Sequence, residues 1–278
     1  MVNNTVHSWL DAAKSQGIDS LDADLILLSA LGQEDRTYLV THAEVLLPED
    51  VLNSVNEMLT RRLSGEPLAQ ILGYREFYGR KFIVVDGGIK TLIPRPESEA
   101  NVDLAISVQP ESVLDVGTGS GVLALTIAAE LPNTKVVACD IEPKYEEIFS
   151  KNAKNIGFFS EKSYAPELPR VQFVVSDLLG NIDAKFDVIV ANLPYVDKDW
   201  DWLDKNALSY EPDMALYAED KGLFLIKKLI RQIAEKDASK YLILEADPCQ
   251  FQDIIDYARG FGFTLLEERS FSLLFTRQ

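Results

Sequence analysis

Apolar residues in the first quarter of the chain recur every three or four positions, which is the period of an α-helix. The clearest run consists of Leu21, Leu25, Leu28 and Leu31. A second helix is predicted to begin after Pro48, because proline is suited to a helix start. We therefore predict that residues 1–72 form a small helical bundle. Such a bundle is either a packed accessory domain without chemistry or a surface that recognises a macromolecular partner.

A different pattern begins near residue 112, where short, unbroken apolar runs alternate with stretches of helical period. Runs without polar alternation are expected for strands that helices cover on both faces of a parallel sheet. The predicted strands are 112–116, 135–140, 171–175, 186–191, 241–246, 263–267 and 271–276. The last two need no crossover and are expected to be antiparallel. The pattern thus predicts an α/β domain with a mostly parallel seven-stranded sheet.

Two short β-like stretches flank Gly79 between these parts, so residues 73–92 are predicted to form a β-hairpin linker. The α/β domain would then cover residues 93–278. It opens with two prolines that bracket Arg95 and hold it extended, followed by acids at a helix start, Glu97 among them. This segment is either a proline-rich linker or a rigid flap whose polar side chains contact a substrate.

The strand at 112–116 leads into a glycine-rich loop and then into a helix. Glycines allow a backbone to approach a ligand closely, and a helix N-terminus favours an anionic group. The following strand ends in Asp140, which lies 23 residues after Gly117. That separation is close to the offset of about 20 residues at which an acid contacts ribose hydroxyls. An adenosine-type ligand can therefore bridge the two strand ends.

The spacing of the glycines discriminates between such ligands. A dinucleotide fingerprint requires glycine where this chain has Val122, and no Gly-Lys-Ser/Thr follows as in a Walker loop. A Gly-x-Gly-x-Gly loop preceded by an acid, here Asp115, is instead the pattern of S-adenosylmethionine sites. In that reading the methionine carboxylate lies at the helix end, and Asp177, at the end of a third strand, meets the adenine amino group.

The predicted strand 186–191 ends abruptly in residues 192–195, which read Asn-Leu-Pro-Tyr. Pro194 has no N–H to donate, so the chain must leave the sheet at the carboxyl edge, where open α/β sheets bind ligands. The Asn192 side chain and the Leu193 carbonyl can accept both hydrogens of a planar NH2 group, and Tyr195 offers a flat stacking surface. The alternative is an ordinary strand exit with asparagine as a turn residue.

Charge and composition limit the classes of partner that the protein can bind. The net charge is −17, whereas proteins that bind nucleic acids neutralise phosphates with Lys and Arg. Two cysteines and two histidines lack metal-ligand spacing, so no metal site is expected. No apolar stretch reaches the ~18 residues of a membrane span, and no secretory signal is visible. We expect a cytoplasmic protein without stable nucleic-acid or membrane partners.

Several motifs occur in an order that resembles the HemK/PrmC protein-glutamine methyltransferases. They lie at residues 65–73, 93–99, 114–121 and 192–195, and the resemblance covers nearly the whole chain. It implies a Rossmann-like methyltransferase fold that transfers a methyl group from S-adenosylmethionine, leaving S-adenosylhomocysteine. The implied acceptor is the side-chain amide nitrogen of the glutamine in the Gly-Gly-Gln motif of peptide chain release factors. We expect a monomer with a release factor as its partner.

The chain departs from the family pattern at a few positions. The family has proline at the position of Leu193, and Asn-Leu-Pro-Tyr is what rRNA adenine dimethyltransferases tend to show. Leu178 stands where an aromatic residue is usual, and residues 218–221 read Ala-Glu-Asp-Lys in place of Gly-Gly-Asp-Gly. The alternatives are therefore an adenine N-methyltransferase acting on rRNA or DNA, a glutamine methyltransferase acting on a ribosomal protein, and a cofactor-binding domain without catalysis.

The patterns and the resemblance together assign two sets of residues. The expected catalytic and substrate-binding residues are Asn192, Leu193, Pro194 and Tyr195, with Arg95 and Glu97 as further substrate contacts. The expected cofactor contacts are Asp115, Gly117, Thr118, Gly119, Ser120, Gly121, Asp140, Ile141, Asp177, Leu178 and Asn192.

Overall fold

The computed structural model describes residues 4–158 and 170–277. Residues 1–3, 159–169 and 278, which the predicted domain ranges include, lie outside the described residues. The described chain up to Gly73, together with Asp204–Tyr210, forms one compact unit, and the rest forms a second. No helix in the described ranges has both the length and the apolarity needed to cross a membrane.

The first unit is helical, as predicted. Its helices are α1 (Val6–Ser15), α2 (Ser20–Leu31), α3 (Thr37–Thr41), α4 (Glu49–Leu63), α5 (Leu68–Leu72) and the short α9 (Lys205–Leu208). Thr5 caps α1 in a capping box with Ser8, which satisfies backbone groups that the first turn leaves unpaired. The core of this unit lies between α1, α2 and α4, where Ala13, Ile26, Leu27 and Val55 are fully buried.

The second unit contains the remaining elements. Its helices are α6 (Glu99–Ser107), α7 (Val122–Glu130), α8 (Tyr145–Ile156), α10 (Asp213–Leu216), α11 (Phe224–Lys236) and α12 (Phe251–Arg259). Its strands are β1 (Tyr74–Phe77), β2 (Arg80–Ile83), β3 (Val85–Asp86), β4 (Ile89–Lys90), β5 (Ser112–Val116), β6 (Lys135–Asp140), β7 (Val171–Val175), β8 (Phe186–Ala191), β9 (Ser239–Glu245), β10 (Phe263–Arg269) and β11 (Ser272–Arg277).

Seven of these strands form one sheet in the order β10-β11-β9-β8-β5-β6-β7. The strands from β9 to β7 are parallel, whereas β11 is antiparallel to both of its neighbours. The predicted seven-stranded, mostly parallel sheet is confirmed. The chain runs outward from β5 through β6 to β7 and then returns to place β8 on the other side of β5. The order therefore reverses between β5 and β8, which is the position where open α/β sheets bind ligands.

Two hairpins, rather than the single one predicted, occupy residues 74–90. The β1–β2 and β3–β4 pairs are each antiparallel, and by its contacts this segment belongs to the second unit. Tyr78 and Gly79, at the turn between β1 and β2, both have positive φ, as in the tight turns that suit the twist of a hairpin. Asn152 on α8 fastens the first hairpin, accepting a hydrogen bond from Ile83 N at 2.8 Å and donating to Ile83 O at 3.0 Å.

Asp187 locks the pairing of β5 with β8 at their amino ends. Its Oδ2 accepts hydrogen bonds from Glu111 N and Ser112 N, both at 2.9 Å, and from Ser112 Oγ at 3.2 Å. The Asp187 amide in turn donates to Ser112 Oγ at 3.0 Å. Asp187 therefore holds the strand register at the end opposite to Asn192, and its role is structural.

Replacing Asp187 with alanine should lower the free energy of unfolding by about 1–3 kcal/mol, because two backbone N–H groups lose their acceptor. Denaturant unfolding measures this change. The matched control is Asp183→Ala, whose side chain is 99% exposed and which should stay within about 0.5 kcal/mol of the native chain. Equal stabilities for the two variants would contradict the assigned role.

Candidate active site

Two loops meet where β5 and β8 end side by side. Asp115 pairs with Val190 and Val116 with Ala191, so the glycine-rich loop and residues 192–195 leave the sheet next to each other. Gly117 has φ +74°, and a Cβ placed on it would lie 2.9 Å from Leu193 Cδ2. Glycine is favoured at a position that combines this backbone conformation with such a close neighbour.

Asp115 fastens the glycine-rich loop to α7. It is 1% exposed, and its Oδ2 accepts hydrogen bonds from Thr118 Oγ1 at 2.6 Å and from Ala124 N at 3.0 Å. Burial raises the pKa of this carboxyl group to about 7. Its other oxygen, Oδ1, is buried and has no hydrogen-bond partner among the described residues. A buried acceptor of this kind suits a ligand that donates a proton or carries a positive charge.

Asp140, at the end of β6, closes the same loop from the other side. Its Oδ2 accepts a hydrogen bond from Gly119 N at 2.9 Å, and its Oδ1 accepts one from Glu142 N at 3.0 Å. Burial raises the pKa of this carboxyl group as well. Two backbone hydrogen bonds join the glycine-rich loop to β6, because Gly117 N and Thr118 N both donate to Cys139 O.

A cavity of about 350 Å³ opens at these strand ends, a size in the range of small-molecule sites. Its predicted lining residues are Gly117, Gly119, Asp140, Ile141, Asp177, Leu178, Asn192, Leu193 and Pro194. A smaller cavity of about 40 Å³ shares Gly117, Gly119 and Asn192, and adds the predicted residues Asp115, Thr118 and Ser120. Gly121 lines neither cavity. It is the N-cap of α7 with φ +85°, and a Cβ there would lie 2.6 Å from the Phe149 ring.

The Asn192 side chain is oriented by Ser98, the residue that precedes α6. Its Nδ2 donates to Ser98 Oγ at 3.2 Å, which turns the Oδ1 atom the other way. Leu193 is 4% exposed and packs against the glycine loop, so its carbonyl rather than its side chain is the polar group available there.

The Tyr195 side chain does not line the cavity. The prediction had its ring stack on a planar substrate, but the ring packs against the sheet core, and its hydroxyl donates to Glu245 Oε1 at 3.3 Å. Its carbonyl accepts a hydrogen bond from Gln250 Nε2 at 2.8 Å. A Cβ on Gly222 would lie 1.9 Å from that carbonyl oxygen, so glycine is required there too. Tyr195 thus anchors the loop from the rear.

Arg95 and Glu97 line neither cavity, in contrast to their predicted substrate contacts. The Arg95 guanidinium donates to Glu211 Oε1, and Glu211 Oε2 accepts a hydrogen bond from Ile93 N at 2.9 Å. The Glu211 side chain is 2% exposed, so Arg95 supplies the charge that a buried carboxylate requires. Glu97 is exposed in the short 3-10 turn before α6.

Asp177 lines the cavity, but it also has a partner within the protein. Both of its carboxylate oxygens accept hydrogen bonds from Lys228 Nζ, at 2.7 and 3.0 Å. The side chain is half exposed, so this ion pair is weak and leaves room for a ligand contact.

Glu245 was not among the predicted site residues. It ends β9 with 1% exposure, and its Oε2 accepts a hydrogen bond from Asn101 Nδ2 at 2.6 Å. Burial raises its pKa to about 7, and hydrogen bonds from Ser98, Asn101, Tyr195 and Asn192 partly offset that rise. The signal in the sequence was an acid that directly follows the apolar strand residues 242–244.

Two family models match this chain. A family model described as PrmC N-terminal domain matches residues 8–73, and one described as Methyltransferase small domain matches residues 101–202. The catalytic domain of hMettl16 in complex with the MAT2A 3'UTR hairpin 6 superposes with a TM-score of 0.50 at 14% identity, covering 68% of this chain and 72% of that one. This likeness shows the fold alone. The sheet, the glycine-rich loop and the matched domain define a methyltransferase.

Curated relatives specify the family. The Release factor glutamine methyltransferase of Koribacter versatilis (strain Ellin345) is 38% identical over 222 residues, which cover 77% of this chain and 74% of that protein. The one from Neisseria gonorrhoeae (strain ATCC 700825 / FA 1090) is 34% identical over 247 residues, covering 87% of this chain and 84% of that protein. The chain belongs to the release factor glutamine methyltransferase family.

The two buried carboxyl groups should make stability depend on pH. The pKa of Asp115 rises from 3.8 to about 7, and that of Glu245 from 4.5 to about 7. Between those values each group binds more protons in the folded than in the unfolded chain, so the free energy of unfolding should fall as pH rises from about 4 to about 7. Denaturant unfolding across this pH range measures the slope.

Asp115→Asn should reduce that slope, whereas Asp183→Asn, at a 99% exposed side chain, should leave it unchanged. A slope that is the same in all three proteins would contradict the inferred titration of Asp115.

Proposed function

We propose that this protein transfers a methyl group from S-adenosylmethionine to the side-chain amide nitrogen of the glutamine in the Gly-Gly-Gln motif of a peptide chain release factor. The observation that carries the proposal is the contact between Gly117 and Leu193, which brings a loop suited to a cofactor against a loop suited to an amide. The names of the curated relatives support the substrate.

The cavity residues fit S-adenosylmethionine. The unpartnered Asp115 Oδ1 suits the ammonium group of the methionine part, and the N-terminus of α7 suits its carboxylate. Asp140 suits the ribose hydroxyls, and the apolar side chains of Ile141 and Leu178 suit the faces of the adenine ring. When bound, this cofactor supplies a methyl group on a positively charged sulfur, which is open to attack by a nucleophile.

The Asn192 loop binds the substrate amide in this proposal. An amide nitrogen is a poor nucleophile because its lone pair is shared with the carbonyl group. Asn192 Oδ1 and the Leu193 carbonyl accept its two hydrogens, which draws electron density toward the nitrogen and orients its lone pair. The gain in rate comes from positioning and electrostatic stabilisation. The nitrogen becomes acidic once it is methylated, so no base has to act before the transfer.

The remaining assignments concern the parts outside the cavity. We propose that residues 1–72 recognise the release factor, that residues 73–92 connect them to the catalytic domain, and that residues 93–278 carry the reaction in a monomer. A partner from the translation machinery would place the reaction in the cytoplasm. The net charge of −17 supports a protein rather than a nucleic-acid substrate.

Incubating the enzyme with a release factor and isotope-labelled S-adenosylmethionine tests the proposal. Mass spectrometry should find one added methyl group on the glutamine of the Gly-Gly-Gln motif. The control is the same release factor with alanine in place of that glutamine, which should stay unlabelled. Label on rRNA or on a ribosomal protein, with none on the release factor, would contradict the proposed substrate.

Asn192→Ala should lower kcat by about 10²–10³-fold, the usual effect of removing one group that stabilises developing charge. Affinity for S-adenosylmethionine should change little, because the glycine-rich loop stays intact. Rates of methyl transfer and calorimetric Kd values separate the two effects. Asn155→Ala, at an exposed position of α8, is the control and should keep the native kcat. A native rate in Asn192→Ala would exclude the mechanism.

Asp140→Ala should weaken binding of S-adenosylmethionine by about 10–100-fold, the worth of a hydrogen bond to a charged group. Asp140→Asn keeps an oxygen for the loop amides, so its Kd should fall between those of the alanine variant and the native enzyme. Calorimetry gives all three values, and Asp256→Ala on the exposed side of α12 serves as control. Unchanged affinity in Asp140→Ala would remove this residue from the ribose contact.

A further inference from the structure

A buried carboxyl group lies directly behind the loop that holds Asn192. Glu245 is 1% exposed and receives hydrogen bonds only from neutral groups among the described residues. Asn101 Nδ2 donates to its Oε2 at 2.6 Å and Tyr195 Oη donates to its Oε1 at 3.3 Å. The side chains of Ser98 and Asn192 complete the set. Four donors match the four lone-pair positions of an ionised carboxylate.

Ser98 connects this carboxylate to the Asn192 amide. Asn192 Nδ2 donates to Ser98 Oγ at 3.2 Å, so the serine oxygen acts as an acceptor toward the asparagine. A hydroxyl has a single proton, and because Ser98 Oγ already accepts from Asn192, that proton is available for Glu245. Hydrogen bonding by Ser98 lowers the pKa of the Glu245 carboxyl group. Glu245 therefore determines which atoms donate and which accept in the series of hydrogen bonds from Asn192 through Ser98 to Glu245.

This direction matters because the two ends of an asparagine amide have nearly the same shape but opposite hydrogen-bonding character. An ionised carboxylate accepts only, so it takes the serine proton and leaves Ser98 able to accept from an NH2 group. Asn192 must then present Nδ2 to Ser98 and Oδ1 to the opposite side. If the group at position 245 donated to Ser98 instead, the serine proton could point to Asn192. Asn192 could then turn its amide around and present Oδ1 to Ser98.

We propose that Glu245 is a positioning residue for methyl transfer: as a carboxylate that only accepts hydrogen bonds, it fixes the direction of the Ser98 bond and thereby holds Asn192 Oδ1 toward the substrate amide. The inference rests on the proposed function, because it assigns Oδ1 the task of binding that amide. Glu245 lines neither cavity, so it acts through Ser98 and through Asn192 itself.

The surroundings of Glu245 make its charge sensitive to pH. Ser98, just before α6, and Asn101, in its first turn, face this carboxyl group. Tyr195 and Asn192 face it from the loop after β8, and Ser272 is its neighbour on β11. Arg95 and Asp247 are the charged groups that act on Tyr195, with opposite signs. Burial raises the pKa of Glu245 to about 7. Below that pH the carboxyl group becomes a donor, so the hold on Asn192 should weaken as pH falls.

The amide orientation can be measured without any cofactor or substrate. NMR of the enzyme carrying isotope-labelled asparagine reports the side-chain NH2 signal of Asn192, which Asn192→Asp identifies by removing it. The signal should shift with pH in the native enzyme, with a midpoint near the Glu245 pKa of about 7. Glu245→Gln should abolish the shift, whereas Glu268→Gln, at an exposed position of β10, should retain it.

Kinetics then tests the consequence for the reaction. Glu245→Gln keeps the size of the side chain but can donate to Ser98, so kcat should fall by at least about 10-fold while KM for S-adenosylmethionine stays unchanged. The decline of the native kcat below about pH 7 should become smaller in this variant, and any decline that remains is assigned to Asp115, whose pKa is also raised to about 7. Ser98→Ala breaks the same chain and should give a similar loss of kcat, which keeps the inference testable should Glu245→Gln fold poorly.

The outcomes separate the two levels of inference. A native enzyme that does not methylate a release factor would end the proposed function, and the NMR titration would still decide whether Glu245 orients Asn192. Native kcat and an unchanged pH profile in Glu245→Gln, or an Asn192 signal that titrates in that variant as in the native enzyme, would overturn the positioning role.

Discussion

The site depends on the close approach of two loops that leave neighbouring parallel strands. Adjacent strands lie only about 4.8 Å apart, so side chains on both loops would compete for the same space. Gly117 resolves this conflict, because the Leu193 side chain occupies the volume where a Cβ would stand. The glycine therefore serves two purposes. It opens the backbone toward the cavity, and it lets the asparagine loop seat directly against the cofactor loop.

Carboxyl groups that accept hydrogen bonds within the protein organise the rest of the second unit. Asp115 and Asp187 accept backbone N–H groups at opposite ends of β5, so one fastens the glycine-rich loop while the other sets the strand register. Glu211 anchors the segment before α6 by binding Ile93 N and the Arg95 guanidinium. An acidic chain thus uses some of its carboxylates as internal acceptors. Each of them satisfies a polar group that a loop at the edge of a buried sheet would otherwise leave unpaired.

Strands with a strong local pattern could be predicted from the sequence. The bounds of β6, β7 and β8 match the predicted ones, because charged residues or a proline limit each apolar run. The short helices α9 and α10 were not predicted, since one turn is too short to show a period. Most predicted cofactor contacts likewise line the cavities, because their positions follow from strand ends alone.

The predicted contacts that differ involve partners far away in sequence. Arg95 binds a carboxylate 116 residues later, and Tyr195 binds one 50 residues later. Neither partner could be identified from local spacing, so an exposed arginine and a flat ring near the site were assigned to the substrate. Both side chains instead satisfy buried acids, whose need for donors is stronger than that of a solvent-exposed ligand.

The same long-range contacts affect the loop at Leu193, where the family has proline. A proline would fix φ and reduce the number of conformations that the loop can adopt. In this chain the loop is held from outside. Asn192 is bonded to Ser98, the Tyr195 carbonyl to Gln250, and the Tyr195 hydroxyl to Glu245. These bonds restrict the residues on both sides of Leu193, so tertiary structure can supply the preorganisation that the ring would have given, while the Leu193 carbonyl stays available as an acceptor.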